Sequence, residues 1–140
     1  MTNLEKAKSV LKDSKYTLVL CNGDTLYTST QRGVTPMLEF IDGGTDLRGF
    51  SAADKVIGKA AAMLFVHAGV IEVHTDVISK AAADFLGPKG VTFTYEKLAD
   101  NIINRKGDGI CPLEMVTADI SDTNVAIAAI KRQLEELRRD

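Results

Sequence analysis

The chain has 140 residues, a formal net charge of −2, 45% hydrophobic and 26% charged residues, and these values suit one soluble globular domain spanning residues 1–140. A balance this close to neutral, with a pI near 5.7, gives no electrostatic case for nucleic acid or an anionic membrane as partner. The longest apolar run, Ala60–Val66, falls far short of the ~20 residues that cross a bilayer.

In chain order, Leu4, Ala7, Lys8 and Leu11 have helical spacing and predict a helix to about Asp13. Tyr16–Cys21 is rich in strand-forming residues, and Asn22-Gly23 offers the pair of positive φ angles that a type I′ turn needs. Thr25–Ser29 then reads as the returning strand of a hairpin. Thr35-Pro36 supplies a cap and a first-turn proline for a short helix over Met37–Ile41, stopped by Gly43-Gly44.

Ser51–Gly69 predicts a helix that is apolar on every side in its second half, where Met63, Leu64, Phe65 and Val66 point in four directions. Such a helix is buried. Its charges, Asp54, Lys55 and Lys59, are confined to its start, with Ser51 and Asp54 as a variant capping box. Val70–Val77 follows as a strand, Ser79–Leu86 as a helix ended by Gly87-Pro88, and Val91–Tyr95 as a further strand. After an irregular loop through Gly109, Asp122–Arg139 is an amphipathic helix with Val125, Ala128, Ala129, Leu134 and Leu137 as its apolar contacts.

This order predicts an α/β fold: a single three-layer α/β/α domain with a mixed sheet, antiparallel at the N-terminal hairpin and parallel afterwards. Helix starts and strand ends then share one edge of the sheet, where ligands commonly bind. The N-terminal Met-Thr-Asn-Leu-Glu-Lys lacks the basic-then-apolar pattern of a secretory signal. Cys21 and Cys111 are expected as free thiols in a reducing cytoplasm.

Two constellations carry chemistry. On the expected helix, Lys55 and Lys59 stand four residues apart, a like-charge pair that costs about 0.2–0.5 kcal/mol. Cations at a helix N-terminus also oppose its dipole. Such local conflict marks functional places, here an anion-binding or proton-handling pair with Asp54 as counter-charge; a solvated Lys55 and a structurally paired Lys59 are the plain alternative.

The second is Asn104-Arg105-Lys106-Gly107-Asp108-Gly109-Ile110-Cys111-Pro112-Leu113-Glu114. Gly107 and Gly109 allow a tight loop whose amides point inward as an anion nest. Pro112 at a helix start makes Cys111 the N-cap and Glu114 the third helical residue. A thiol there, beside Arg105 and Lys106, is a candidate nucleophile, although Glu114 works against it. Arg32 is a third cationic candidate. His67, His74 and Cys21 read as structural. Two His and two Cys scattered along the chain give no zinc-type spacing, and no P-loop, Gly-x-Ser-x-Gly or complete dinucleotide fingerprint occurs.

The segments Gln31-Arg-Gly-Val, Gly49–Ala62 and Ile103–Glu114 resemble a bacterial family known as a domain of unknown function, number 1893. The resemblance extends from about Tyr16 to Ala129 and implies a cytidine-deaminase-like fold. Zinc deaminases need His or Cys followed by Ala-Glu at one helix start and Pro-Cys-x-x-Cys at the next. Set against that signature, Ser51-Ala52-Ala53-Asp54 and Val77-Ile78-Ser79-Lys80 supply no metal ligand, so zinc deamination is not expected and no metal or cofactor is implied.

Three readings follow. The first is a small anionic, nucleotide-like ligand held by Lys55, Lys59, Arg105, Arg32, Gly107 and Gly109. In the second, Cys111 is the nucleophile or redox thiol of an enzyme, with Asp54 or Glu114 transferring protons. In the third, the motifs build the interface of a non-catalytic homo-oligomer or scaffold.

Overall fold

The computed structural model describes residues 1–104 and 106–139. Helix α1 (Asn3–Lys12) starts at Thr2, whose hydroxyl accepts a hydrogen bond from the Glu5 amide, and buries Ala7 and Leu11. Strands β1 (Leu18–Asn22) and β2 (Thr25–Ser29) pair antiparallel with Asn22 opposite Thr25. Gly23 and Asp24 therefore form the turn. Gly23 has φ 59°, and no described residue other than glycine has a positive φ. Glycine first with a single positive φ belongs to a type II′ turn, so the type I′ turn expected on Asn22-Gly23 is displaced by one residue.

Helix α2 (Thr35–Asp42) has Pro36 in its first turn, but Val34 holds the cap position and no side chain caps the helix. The expected Thr35 cap is thus already inside it.

The largest correction concerns Ser51–Gly69. Ser51–Ile57 is strand β3, and helix α3 (Lys59–Ala68) begins only after Gly58. The Ser51–Asp54 capping box does not exist, and Lys55 and Lys59 share no helical face. The reason lies in where β3 sits. It pairs with β1 on one side and β4 on the other, while Ala52 packs in one core and Ala53 in another. A strand buried on both faces shows no polar alternation, and small alanines suit helix and strand alike. Ala60–Phe65 of α3 are buried, as their composition requires, and Gly69 ends the helix at φ 85°.

Strand β4 (Glu72–Ser79) leads into α4 (Lys80–Leu86), where the Ser79 hydroxyl accepts from the Ala82 amide. A 3-10 turn (Gly87–Lys89) precedes β5 (Thr92–Ala99), four residues longer at its end than expected. Helices α5 (Pro112–Thr117) and α6 (Thr123–Arg139) complete the chain. On α6 the contact stripe is Ala126, Ile127, Ile130 and Leu134. Val125 and Leu137, expected as contacts, are 55% and 43% exposed, because packing against α3 and α5 turns the helix by about one residue.

The five strands form one mixed sheet in the order β2-β1-β3-β4-β5, with β3, β4 and β5 parallel. Two successive crossovers advancing in one direction put their helices on the same face when both follow the right-handed rule. Residues of α2 to α6 accordingly share one core, while α1 alone packs on Val19, Cys21 and Ala53 of the opposite face.

Candidate functional site

A cavity of about 600 Å³ lies where the parallel strands end. Val56, Val77 and Ala99 line it from β3, β4 and β5, Ala60 and Ala61 from α3, and Leu113 from α5. Thr17, before antiparallel β1, reaches the same edge. Five of the expected site residues meet in this lining: Arg32, Asp54, Lys55, Cys111 and Glu114. Arg32 and Lys55 are exposed and form its rim, whereas Asp54, Cys111 and Glu114 are half-buried.

Asp54 ends the part of β3 that pairs with β1, opposite Leu18. Its Oδ1 accepts from the Lys55 amide at 2.8 Å. Burial pushes its carboxyl up to about 7, against the lowering effect of the Lys55 and Val56 amides and with a further rise from the Asp76 charge. Among the described residues no cationic side chain lies within ion-pair distance of it. A carboxyl so placed exchanges a proton near neutral pH.

Glu114 stands in the first turn of α5, as the Cys111-Pro112 start requires, but its carboxylate serves another helix. Oε1 accepts from the Lys59 amide at 2.6 Å and Oε2 from the Ala60 amide at 3.1 Å. Two of the orphan donors of α3 are thereby satisfied. A Cβ at Gly58 would collide with that carboxylate, so glycine is needed there for space. The start of α3, where an external anion was expected, holds the chain's own.

Lys59 does not line the cavity. Its Nζ donates to the Ala118 carbonyl at 2.9 Å, at the end of α5. Gly107 and Gly109 stand outside the lining as well. Ile103 bridges Ile110, the Asn104 amide donates to the Gly109 carbonyl at 2.8 Å, and the Gly107 amide donates to the Asn104 carbonyl at 3.1 Å. The Asp108 amide is taken by Asn104 Oδ1. The loop thus closes on itself instead of forming an open nest. Its leading residues Asn101, Ile102 and Ile103 line the cavity in place of the glycines. Arg105 lies outside the described residues.

Cys111 is the N-cap of α5, its carbonyl accepting from the Glu114 and Met115 amides. Its thiol is free and half-buried, and Cys21 is free and fully buried under α1. His67 bonds Thr123 and His74 bonds Thr94, so both histidines tie elements together. Thr17 and Asn101 were not readable as site residues; only the topology brings the start of β1 and the end of β5 to one edge. On the α1 side a groove of about 700 Å³ is lined mainly by charged residues of both signs, Lys8, Lys12, Asp76 and Glu96 among them, and Lys55 borders it too. Among the described residues no three His, Cys, Asp or Glu side chains cluster to hold a metal ion.

The same fold is present in the crystal structure of a DUF1893 family protein (TM1506) from Thermotoga maritima. That structure matches with a TM-score of 0.86 and 25% identity, over 95% of this chain and 91% of the other. No curated protein matches the chain. A family model described as a domain of unknown function (DUF1893) matches residues 6–134, and the chain belongs to the DUF1893 family.

Proposed function

We propose that the cavity at the carboxyl ends of β3, β4 and β5 binds a small anionic, nucleotide-like molecule in the cytoplasm. The observation that carries this reading is an apolar hollow of about 600 Å³ with Arg32 and Lys55 on its rim. Volumes of this size suit small organic ligands, whose bodies are held by apolar walls and whose orientation is fixed by a few polar groups. The hollow also lies where open α/β sheets commonly bind ligands. In this reading the two cations hold the negative group, and Lys59, engaged with Ala118, stabilises α5 instead.

Part of the proposal is kinship with the cytidine-deaminase-like fold, supported by a mixed sheet in which parallel strands β3 and β4 each run directly into a helix, α3 and α4. The start after β3 is Gly58-Lys59-Ala60-Ala61, not Ser51–Asp54, and that after β4 is Ser79-Lys80-Ala81-Ala82. Neither offers the His, Cys and Glu that zinc deamination needs, so the residues do not fit that metal and no step is derived through it.

Thermal unfolding in the presence of nucleoside mono-, di- and triphosphates tests the reading. A rise in Tm is expected, reduced in Arg32→Ala and Lys55→Ala and abolished in Ala61→Phe, which fills the hollow. No shift with any of these compounds overturns it.

A second reading is favoured by Cys111 and Asp54 sharing one lining: a thiol nucleophile with a carboxyl able to transfer its proton. It requires alkylation of Cys111 at pH 6 well above the rate of a thiol with the ordinary pKa of about 8.5. An ordinary rate removes it.

A further inference from the structure

We infer that Asp54 sets the specificity of this cavity, and that the preferred ligand presents to it two adjacent N–H donors of a planar base, as the N1–H and 2-amino groups of guanine do. The inference rests on the anion-binding reading above. Asp54 sits among Val56, Val77 and Ala99 in the lining, and its Oδ1 accepts from the Lys55 amide at 2.8 Å. A carboxylate has about four acceptor positions. The Lys55 amide fills one of them, and the neighbouring Val56, Val77 and Ala99 bring no side-chain donor to the rest.

A ligand that fills the cavity strips water from this half-buried carboxylate, and donors on the ligand offset that cost. Two parallel N–H groups meeting one carboxylate form the strongest and most directional version of that contact. A single ammonium would satisfy the charge, but it would leave the apolar walls without a partner.

The surrounding charges are consistent with this division of labour. Arg32 and Lys55 stand at the rim, where they reach a phosphate rather than the ring. Asp76 of β4 disfavours a second negative charge near Asp54. Glu114 of α5, next to Cys111, is committed to the α3 amides. Among these carboxylates Asp54 is the one that lines the cavity with acceptor positions left for a ligand.

Guanosine and inosine monophosphates differ by the 2-amino group and share sugar and phosphate. Calorimetry on the full chain is expected to give about tenfold tighter binding of the guanosine compound. Asp54→Asn should reduce that preference to about twofold or less, because the amide offers one acceptor and one donor edge. Arg32→Ala should weaken both nucleotides alike. Near pH 6.5, binding of the guanosine compound to wild-type protein should also release protons, seen as a dependence of the heat on buffer ionisation enthalpy, since the carboxyl must ionise to accept both donors.

Equal affinities in the wild type, or an unchanged preference in a folded Asp54→Asn variant, overturn the assignment to Asp54 and leave the anion site standing. Absence of proton release also counts against Asp54. No binding of either nucleotide, while another nucleotide of the thermal series binds, overturns the assignment to Asp54 alone; no binding of any of them overturns both readings.

Discussion

Asp54 holds a proton in the folded protein at pH values where the unfolded chain has lost it. Its carboxyl titrates at about 7 in the fold, against an ordinary 3.8. Between these values the native state binds more protons than the unfolded state, so stability falls as pH rises through this window. The span corresponds to about 4 kcal/mol at most. Asp54→Asn should therefore flatten the fall in unfolding free energy between pH 4 and 8, and should be the more stable protein at pH 8. Parallel pH profiles for the two proteins would show this, and superimposable ones would mean that the carboxyl is hydrated. Gly58 and Glu114 form a second residue-scale unit. Glu114→Ala strips the caps from the Lys59 and Ala60 amides and should cost about 1–2 kcal/mol. Gly58→Ala should cost up to about as much in the wild type, since its Cβ displaces the carboxylate from the two amides, yet little in the Glu114→Ala background. Gly58 has φ −96° and ψ −179°, a conformation that alanine adopts freely. Urea unfolding of the four proteins should be strongly non-additive; additive losses would locate the strain elsewhere.

The position of Glu114 in the first turn of α5 could be read from Cys111-Pro112, but its partner could not. The amides it caps are 55 and 54 residues away in sequence, and only the packing of α3 on α5 brings them near. The same holds for elements. Ala60–Phe65 announces a buried helix because no polar stripe interrupts it, whereas Ser51–Ile57 carries no pattern separating helix from doubly buried strand. The overlooked local signals were Gly58, costly inside a helix by about 1 kcal/mol, and the β-branched pair Val56-Ile57 before it. Moving the helix start from Ser51 to Lys59 changes the site: Lys55 becomes a strand residue on the rim, and Lys59 turns to the end of α5. Helix α1 is the element with the simplest energetic role, since among the described residues it is the one helix that covers its face of the sheet. Leu11 is 5% exposed and packs with Val19, Cys21 and Ala53. Leu11→Ala should cost about 2–4 kcal/mol and should expose the Cys21 thiol to disulfide reagents under native conditions. A large loss of stability with Cys21 still unreactive would mean that α1 stays docked over Cys21 in the variant.

At the scale of the whole molecule the sheet divides into an antiparallel half, β2-β1-β3, and a parallel half, β3-β4-β5, with the cavity opening at the end of the latter. Both halves finish in an edge, and the two edges differ. β2 is five residues long, while β5 has eight, with Tyr95 and Leu98 each 43% exposed. A long edge strand with exposed apolar residues is a template for pairing with another chain. Glu96 and Lys97 lie between Tyr95 and Leu98, and a charge of each sign there opposes close approach of a second identical strand in any antiparallel register that puts like charges opposite. Glu96 Oε1 lies 3.6 Å from His74 Nε2, yet its side chain stays 72% exposed, so its charge remains available at this edge. Lys97→Val should therefore raise the association state at high protein concentration, and Glu96→Val combined with it should raise it further. Sedimentation velocity over a concentration series measures the effect, with circular dichroism showing that the fold is retained. Sedimentation identical to wild type in both variants would mean that strand twist, and not charge, guards this edge.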